Sequence, residues 1–313
     1  MTRSSAPEPS RDNDTADETA APHDTLPCVL SFNASDPTGA GGVVSDAMVI
    51  ASIGAHALPV ITGAYVRDTR EIMGHASLGD DAVAEQAGAV AEDIPLHAIK
   101  IGFVGSAEAV AAIAAFVSDY PAVPVVAYMP DLSWWSEDEI DNYLDAFREL
   151  LLPQVAVLVG NNTTLRHWLL PESTTDRRAR ATDLARAAGE LGVSYVLVTG
   201  IPAVGDQLGN VLASAQGELF SQSYERIDAG FLGAGDILSA ALTALIATGS
   251  ELTEAVAEAL QYLDQALDHG FRPGMGRAVA DRLFWAESDD ADIADDDAPP
   301  SFDIPHPFNE TKH

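Results

Sequence analysis

Between residues 26 and 285 the chain alternates short runs of β-branched and apolar residues with longer alanine-rich stretches whose apolar positions recur at helical spacing. The short runs show little strict alternation of apolar and polar residues, as expected of strands covered on both faces. They predict strands at Pro27–Phe32, Ala57–Thr62, Ala98–Ile101, Pro124–Met129, Val155–Val159 and Ser194–Thr199. The alanine-rich stretches predict helices over Gly42–Ser52, Asp81–Ala91, Ala107–Ser118, Glu137–Leu151, Asp176–Leu191, Ala234–Thr248 and Leu252–His269. Strands and helices taking turns in this way form βαβ units. The expected fold is α/β, a three-layer α/β/α sandwich around a mainly parallel central sheet. Two further short strands, Gly209–Ala213 and Glu218–Tyr224, read as a hairpin turning at Ala215–Gly217. No internal repeat and no linker divides the segment, so one domain is expected over residues 26–285. Its ligand site should lie outside the carboxyl ends of the strands.

Composition narrows the partners. The 313 residues carry 48 acidic and 16 basic side chains, a formal net charge of −32. Such a surface repels the phosphate backbone that supplies most nucleic-acid affinity, so no nucleic-acid partner is expected. Only Lys100 and Lys312 are lysines, and a chain so rich in Asp and Glu fits either a salt-rich cytoplasm, where screening relieves self-repulsion, or an acidic protein of ordinary salt. Residues 1–25 hold six acids and almost no large apolar side chain, and residues 286–313 hold nine acids including Asp295–Asp297. Both read as solvated, disordered acidic tails. The single cysteine, Cys28, has no internal partner, and Met1–Ser10 lacks the basic and apolar regions of a secretory signal. A cytoplasmic protein is expected. No apolar run reaches the roughly 18–20 residues that would span a bilayer, so no membrane partner is expected either.

Candidate chemistry sits in two segments. Asn33-Ala-Ser-Asp-Pro-Thr-Gly-Ala-Gly-Gly42 joins the first strand to the first long helix. A glycine-rich strand-to-helix turn of this kind brings a ligand onto bare backbone at a helix N-terminus. Asp46, one turn into that helix, either reaches back to the same mouth or complements the helix dipole. The second segment is Gly233-Ala-Gly-Asp236, which follows Asp228-Ala-Gly-Phe-Leu232 and opens the apolar helix Ile237–Ala247. Small residues there expose N–H groups to charge developing on a transferring phosphoryl group, and Asp236 beside them is either a proton acceptor or a plain helix cap. No competing system is visible. The eight histidines, among them His75, His97 and His167, lack metal-ligand spacing, and no serine lies in a nucleophile elbow.

The order of these segments, together with Ser35–Gly39, Val60–Thr69, Lys100–Gly105, Leu150–Pro153 leading to Asn161, and Val196–Gly200, resembles the hydroxymethylpyrimidine/phosphomethylpyrimidine kinases of thiamin synthesis. These are a branch of the ribokinase-like superfamily, which also includes the pyridoxal kinases. The resemblance implies a ribokinase-like fold and transfer of phosphate from ATP, with Mg2+, to the hydroxymethyl group of a small pyrimidine. It implies that Gly233, Ala234 and Gly235 cradle the moving phosphoryl and that Asp236 accepts the hydroxyl proton. It places Ala34, Asp46, Arg67 and Phe103 on the substrate, and Asn161, Thr199 and Gly200 on the nucleotide. A homodimer is a further implication.

Several positions depart from the family pattern. Many pyrimidine kinases have Cys where Asp236 stands, whereas Asp is usual in ribokinases and many pyridoxal kinases. A carboxylate is ionised at neutral pH without further activation. A pyrimidine-binding Gln is replaced by Arg67, which has donors but no acceptor. On the metal side, Tyr128-Met129 replaces an Asp-Pro pair and Thr164 replaces an acid, leaving Asp131 as the candidate Mg2+ ligand. Trp134 and Trp135 follow it and could close over a ring. These departures keep two alternatives open beside the pyrimidine kinase: a pyridoxal-type kinase, and a non-catalytic ligand-binding relative with a degraded metal site.

Overall fold

A computed structural model describes residues 26–170 and 179–286. The tails expected at 1–25 and 286–313 lie outside the described residues apart from Ala286, as does the expected start of a helix at Asp176.

The chain runs β1 (Cys28–Ser35), α1 (Gly42–Ile53), β2 (His56–Arg67), β3 (Ile72–Ser77), α2 (Asp80–Ala91), β4 (Ala98–Ile101), α3 (Ala107–Ser118), β5 (Val125–Met129) and α4 (Glu137–Ala146). There follow β6 (Val157–Asn161), α5 (Asn162–Leu169), α6 (Ala181–Glu190), β7 (Tyr195–Pro202), β8 (Gln207–Ser214), β9 (Gly217–Glu225), β10 (Phe231–Leu232), α7 (Ala234–Ala247), α8 (Leu252–Asp268) and β11 (Ala278–Val279). Nine strands form one sheet in the order β3-β2-β1-β4-β5-β6-β7-β8-β9. The six from β2 to β7 are mutually parallel, and antiparallel pairs occur only at the ends, β2–β3 on one side and β7–β8–β9 on the other. The three-layer, mainly parallel architecture is therefore as the pattern predicts.

Side-chain alternation explains how the sheet carries both helical layers. In β1, Leu30 and Phe32 enter the core shared with α2, α3, α5 and α6, while Val29 enters the core shared with α1, α7 and α8. The same split occurs in β6, where Leu158 faces one layer and Val157 and Val159 the other. Helix α7 is buried continuously from Ile237 to Leu245. An all-round apolar helix of that kind belongs inside a layer rather than on its surface. Its N-terminus consequently opens at the carboxyl ends of the central strands. β1 is flanked by β2 and β4, so the chain reverses its direction of sheet growth beside β1, and a crevice forms at such a switch point.

Three differences from the expected elements bear on the site. β2 extends to Arg67 and pairs antiparallel with β3, which was not expected, so the stretch after Thr62 is a hairpin rather than a loop. Helix α5 was not expected either; Asn161 caps it, its Oδ1 accepting from Thr163 N–H at 2.9 Å. The helix expected from Asp176 runs over Ala181–Glu190.

Candidate active site

β1 carries two fully buried polar side chains, Ser31 and Asn33, which share the α1/α7 side of the strand with Val29. Lys100 on β4 lies in register with Ser31 and is 0% exposed. These side chains are buried together because each answers another. Lys100 Nζ donates to both oxygens of Asp46 at 2.9 Å and to Asp236 Oδ1 at 2.9 Å. Asn33 Nδ2 bridges the same carboxylates, at 3.0 Å from Asp46 Oδ2 and 2.8 Å from Asp236 Oδ1. Ser31 Oγ donates to Asp46 at 2.7 Å, and Gly42 N–H to Asp236 Oδ2 at 3.1 Å. Buried charges persist when paired and hydrogen-bonded in this way.

The three ionisable groups are not equivalent. Burial raises the Asp46 carboxyl, and the facing Asp236 charge raises it further, against the pull of Lys100. Burial also works to raise Asp236, but the Lys100 ammonium and the donors on its oxygens outweigh it, so this carboxyl lies below its ordinary range. Burial tends to lower Lys100, and the two carboxylates more than compensate, leaving it above its ordinary value. Asp236, whose side chain is 17% exposed, is thus the ionised end of a buried network that reaches the surface at one point.

That point is the floor of a cavity of about 630 Å3, within the usual size of small-molecule sites. Gly233 sits at φ 73°, and a β-carbon there would overlap the Ala40 carbonyl, so glycine is required for α7 to start against the Asp36–Gly41 loop. Asp36 anchors that loop through Thr38 N–H and Thr38 Oγ at 2.9 and 2.7 Å, and pairs with Arg67 at 3.4 Å. Arg67 lies over the Tyr65 ring, 5.9 Å from its centroid. Tyr65 stacks on Phe103, and Trp134 meets both rings edge-on, forming an aromatic wall. The segment after α8 closes the rim: Thr69 accepts from Gly276 N–H and Arg277 N–H, while β11 pairs with β10 at the entry to α7. This brings Arg277 to the cavity with Arg67 and Arg70.

Of the residues singled out in the sequence, Gly233, Ala234, Gly235, Asp236, Arg67, Asn161, Thr199 and Asp131 all line this one cavity. Asn161 and Thr199 are register partners on β6 and β7. Four expectations need correction. Asp46 does not face the cavity, because its carboxylate is spent on Lys100, Ser31 and Asn33. Ala34 is fully buried at the end of β1, its N–H bound to the Phe103 carbonyl. Phe103 stands behind Tyr65 and Trp134 and supports the wall without forming its surface. Gly200 packs on the Asn161 amide, off the cavity wall.

The Mg2+ expectation rests on Asp131 alone. Both Asp131 oxygens accept from Ser133, at 2.9 and 3.0 Å, and among the described residues no three His, Cys, Asp or Glu side chains are grouped to hold a metal ion. Mg2+ usually keeps several waters and takes one or two carboxylates together with substrate phosphates, so the lack of such a group does not bear on the expectation, and Asp131 lines the cavity. Lys100, Arg70 and Arg277 were not among the expected site residues. Lys100 carried a signal, being a lysine within the otherwise apolar strand Ala98-Ile-Lys-Ile101 of a chain with two lysines; the two arginines carried none.

An α/β/α domain with a glycine-opened helix, an ionised aspartate at its first turn and a cavity at the switch point is the architecture of a small-molecule kinase. The phosphomethylpyrimidine kinase family model matches residues 36–281, and the chain belongs to that family. A hydroxymethylpyrimidine/phosphomethylpyrimidine kinase of Streptomyces coelicolor is 28% identical over 265 residues, spanning 84% of this chain and 96% of the relative. The Mycobacterium bovis protein of the same name is 28% identical over 277 residues, 85% and 97% of the two chains. Among solved structures, an ADP complex of Bacillus subtilis pyridoxal kinase superimposes with a TM-score of 0.75 at 20% identity, covering 84% of this chain and 100% of that one. A Clostridium difficile phosphomethylpyrimidine kinase gives 0.61 at 23% identity, covering 75% and 98%. No helix among the described residues is long and apolar enough to cross a membrane.

Proposed function

We propose that the chain is an ATP-dependent kinase of thiamin biosynthesis that phosphorylates the hydroxymethyl group of hydroxymethylpyrimidine and then the resulting monophosphate. The observation that carries this reading is the Asp236 carboxylate, held ionised by Lys100 and aimed at the cavity beside the open N-terminus of α7. In the first transfer the substrate hydroxyl gives its proton to Asp236 while its oxygen bonds to the terminal phosphorus of ATP. The bond from that phosphorus to the bridging oxygen breaks, and ADP leaves. The N–H groups at the start of α7 face the charge on the moving phosphoryl. Lys100 keeps the base deprotonated before the transfer and balances the Asp46 charge beneath it.

The second transfer needs no base, because the acceptor is already a phosphate oxygen. It needs cations for an anionic acceptor, and Arg67, Arg70 and Arg277 supply them on the cavity wall. A guanidinium pairs well with phosphate, and the grouping stands out in a chain with 16 cations and 48 acids. A pyridoxal-type kinase is the second reading, favoured by the aspartate at position 236 and by Arg67 in place of a neutral amide. We further propose that the protein acts in the cytoplasm as a homodimer, as the resemblance to its family implies.

The test is ADP release by the purified protein with Mg-ATP and either hydroxymethylpyrimidine, its monophosphate or pyridoxal, in low and high KCl. Turnover with the pyrimidines supports the assignment. Turnover with pyridoxal alone moves it to the sister activity, and silence with all three leaves a ligand-binding relative.

A further inference from the structure

Tyr128 stands at the carboxyl end of β5, in register with Val159, and its side chain crosses to α7. A β-carbon at Gly235 would overlap the Tyr128 ring and its hydroxyl, so the phenol rests directly on the backbone of the first helical turn. It lines the same cavity as Asn161, Thr199 and Asp236. Its hydroxyl has no hydrogen-bond partner among the described residues, and none is paired with the N–H of Ala234, Gly235 or Asp236. Burial, followed by the charges of Asp236 and Asp131, holds the phenol protonated well above its ordinary range. A neutral phenol so placed is a hydrogen-bond donor. The phenol and the turn beneath it therefore bring a hydroxyl and free N–H groups together without protein partners, and an acceptor-rich group can take all of them at once.

Resting on the kinase reading of this site, we propose that the Tyr128 hydroxyl donates a hydrogen bond to the terminal phosphoryl group of the nucleotide, completing with the α7 backbone a cradle in which a side-chain donor stands where a metal-binding acid would otherwise serve. Tyr128 is then a binding residue selective for the end of the triphosphate. Gly235 is glycine so that the phenol can lie over the turn.

The experiment is calorimetric titration of ATP, ADP and inorganic tripolyphosphate, without any acceptor, into the wild type, Tyr128→Phe and Tyr128→Ala. Tyr128→Phe removes one oxygen and keeps the ring on Gly235. Loss of a donor to a charged group predicts about 10- to 100-fold weaker binding of ATP and tripolyphosphate, with ADP affected by no more than about threefold, and Tyr128→Ala no tighter than Tyr128→Phe. Equal affinities of Tyr128→Phe and the wild type would overturn the proposal. So would tighter ATP binding by Tyr128→Ala, which would make the ring an obstruction, or absence of nucleotide binding by the wild type. The kinase reading is tested separately by turnover. A wild type that shows the expected binding differences but transfers phosphate to no acceptor keeps the Tyr128 assignment and loses the kinase. A wild type that turns over, with Tyr128→Phe binding ATP as tightly as it does, keeps the kinase and loses the Tyr128 assignment.

Discussion

Replacing Lys100 by Met tests the buried ionic network directly. The ammonium is fully enclosed and touches three carboxylate oxygens at 2.9 Å. A methionine fills similar space without charge, so Asp46 and Asp236 are left facing one another with the Asn33 amide between them. Removing one partner from a buried ionic cluster costs about 3–5 kcal/mol, a large share of the roughly 5–15 kcal/mol that holds a domain together. The loss has a definite pH signature. Without the ammonium, two adjacent buried carboxyls take up a proton more readily in the folded chain than in the unfolded one, where each titrates near 4. The folded variant therefore binds more protons, and its stability falls as pH rises, with a limiting slope of about 1.4 kcal/mol per pH unit for one proton. Urea unfolding followed by tryptophan fluorescence at pH 5, 6, 7 and 8 reads this slope. The gap between wild type and Lys100→Met should be about 3–5 kcal/mol at pH 8 and shrink toward pH 5. Adding Asp46→Asn to the variant should recover part of the loss and flatten the slope. A gap that is independent of pH, or below about 1 kcal/mol, would refute the argument that the Lys100 charge is what allows both carboxylates to be buried.

Asp236→Asn should lower turnover by about 10²–10⁴-fold, the ordinary worth of a positioned base, with the near-ultraviolet circular dichroism unchanged; full turnover removes the assigned role. Burial would raise the Asp236 carboxyl, but Lys100 and the donors around it more than offset this. The acid limb of kcat/KM for the free alcohol should consequently lie below the ordinary carboxylate value of about 4, and a limb centred between pH 5 and 6 would contradict it. Arg67→Gln, which breaks the pair with Asp36, should reduce kcat/KM for the monophosphate about tenfold relative to that for the alcohol; an equal effect on both acceptors would show that Arg67 does not meet the phosphate. Raising KCl from about 0.1 to 1 M contracts the screening length from about 10 to 3 Å, so the melting temperature and activity of this acidic chain should rise, and a flat or falling response removes the high-salt reading.

The fold was legible because parallel strands and their crossover helices write long, repeated patterns. The predicted β4 and α3 coincide with the observed elements, and the other predicted strands are displaced by one or two residues or extended at an end. β3 was missed because Ile72-Met-Gly-His-Ala-Ser77 lies at an edge, partly exposed, with no apolar run to mark it. The α7 turn was legible because small residues before an apolar helix leave few structural options. What the sequence hid was direction. Asp46 is one turn into α1, but nothing in its spacing says that it points under β1 toward Lys100 rather than out to the mouth. Phe103 was read as a pocket residue for the same reason, since its support of Tyr65 and Trp134 depends on the β2–β3 hairpin. Arg277 reaches the cavity through the bonds that its own and the Gly276 N–H donate to Thr69, across more than 200 positions, and through the pairing of β10 with β11.

The charged members of the buried network come from three distant stretches: Asp46 from α1, Lys100 from β4 and Asp236 from α7. During synthesis the first two emerge long before the third. A nascent chain that has laid down the six parallel strands still has an empty berth along the sheet where α7 belongs, and there an ammonium has one carboxylate and water for company. Docking α7 supplies the second carboxylate, buries nine successive residues and starts the glycine turn in the same event. Long-range closures of this kind are slow because chain entropy is lost before the contact rewards it. The cavity's carboxylate and the glycine turn beside it are thus completed by the same step that seals the core around α7.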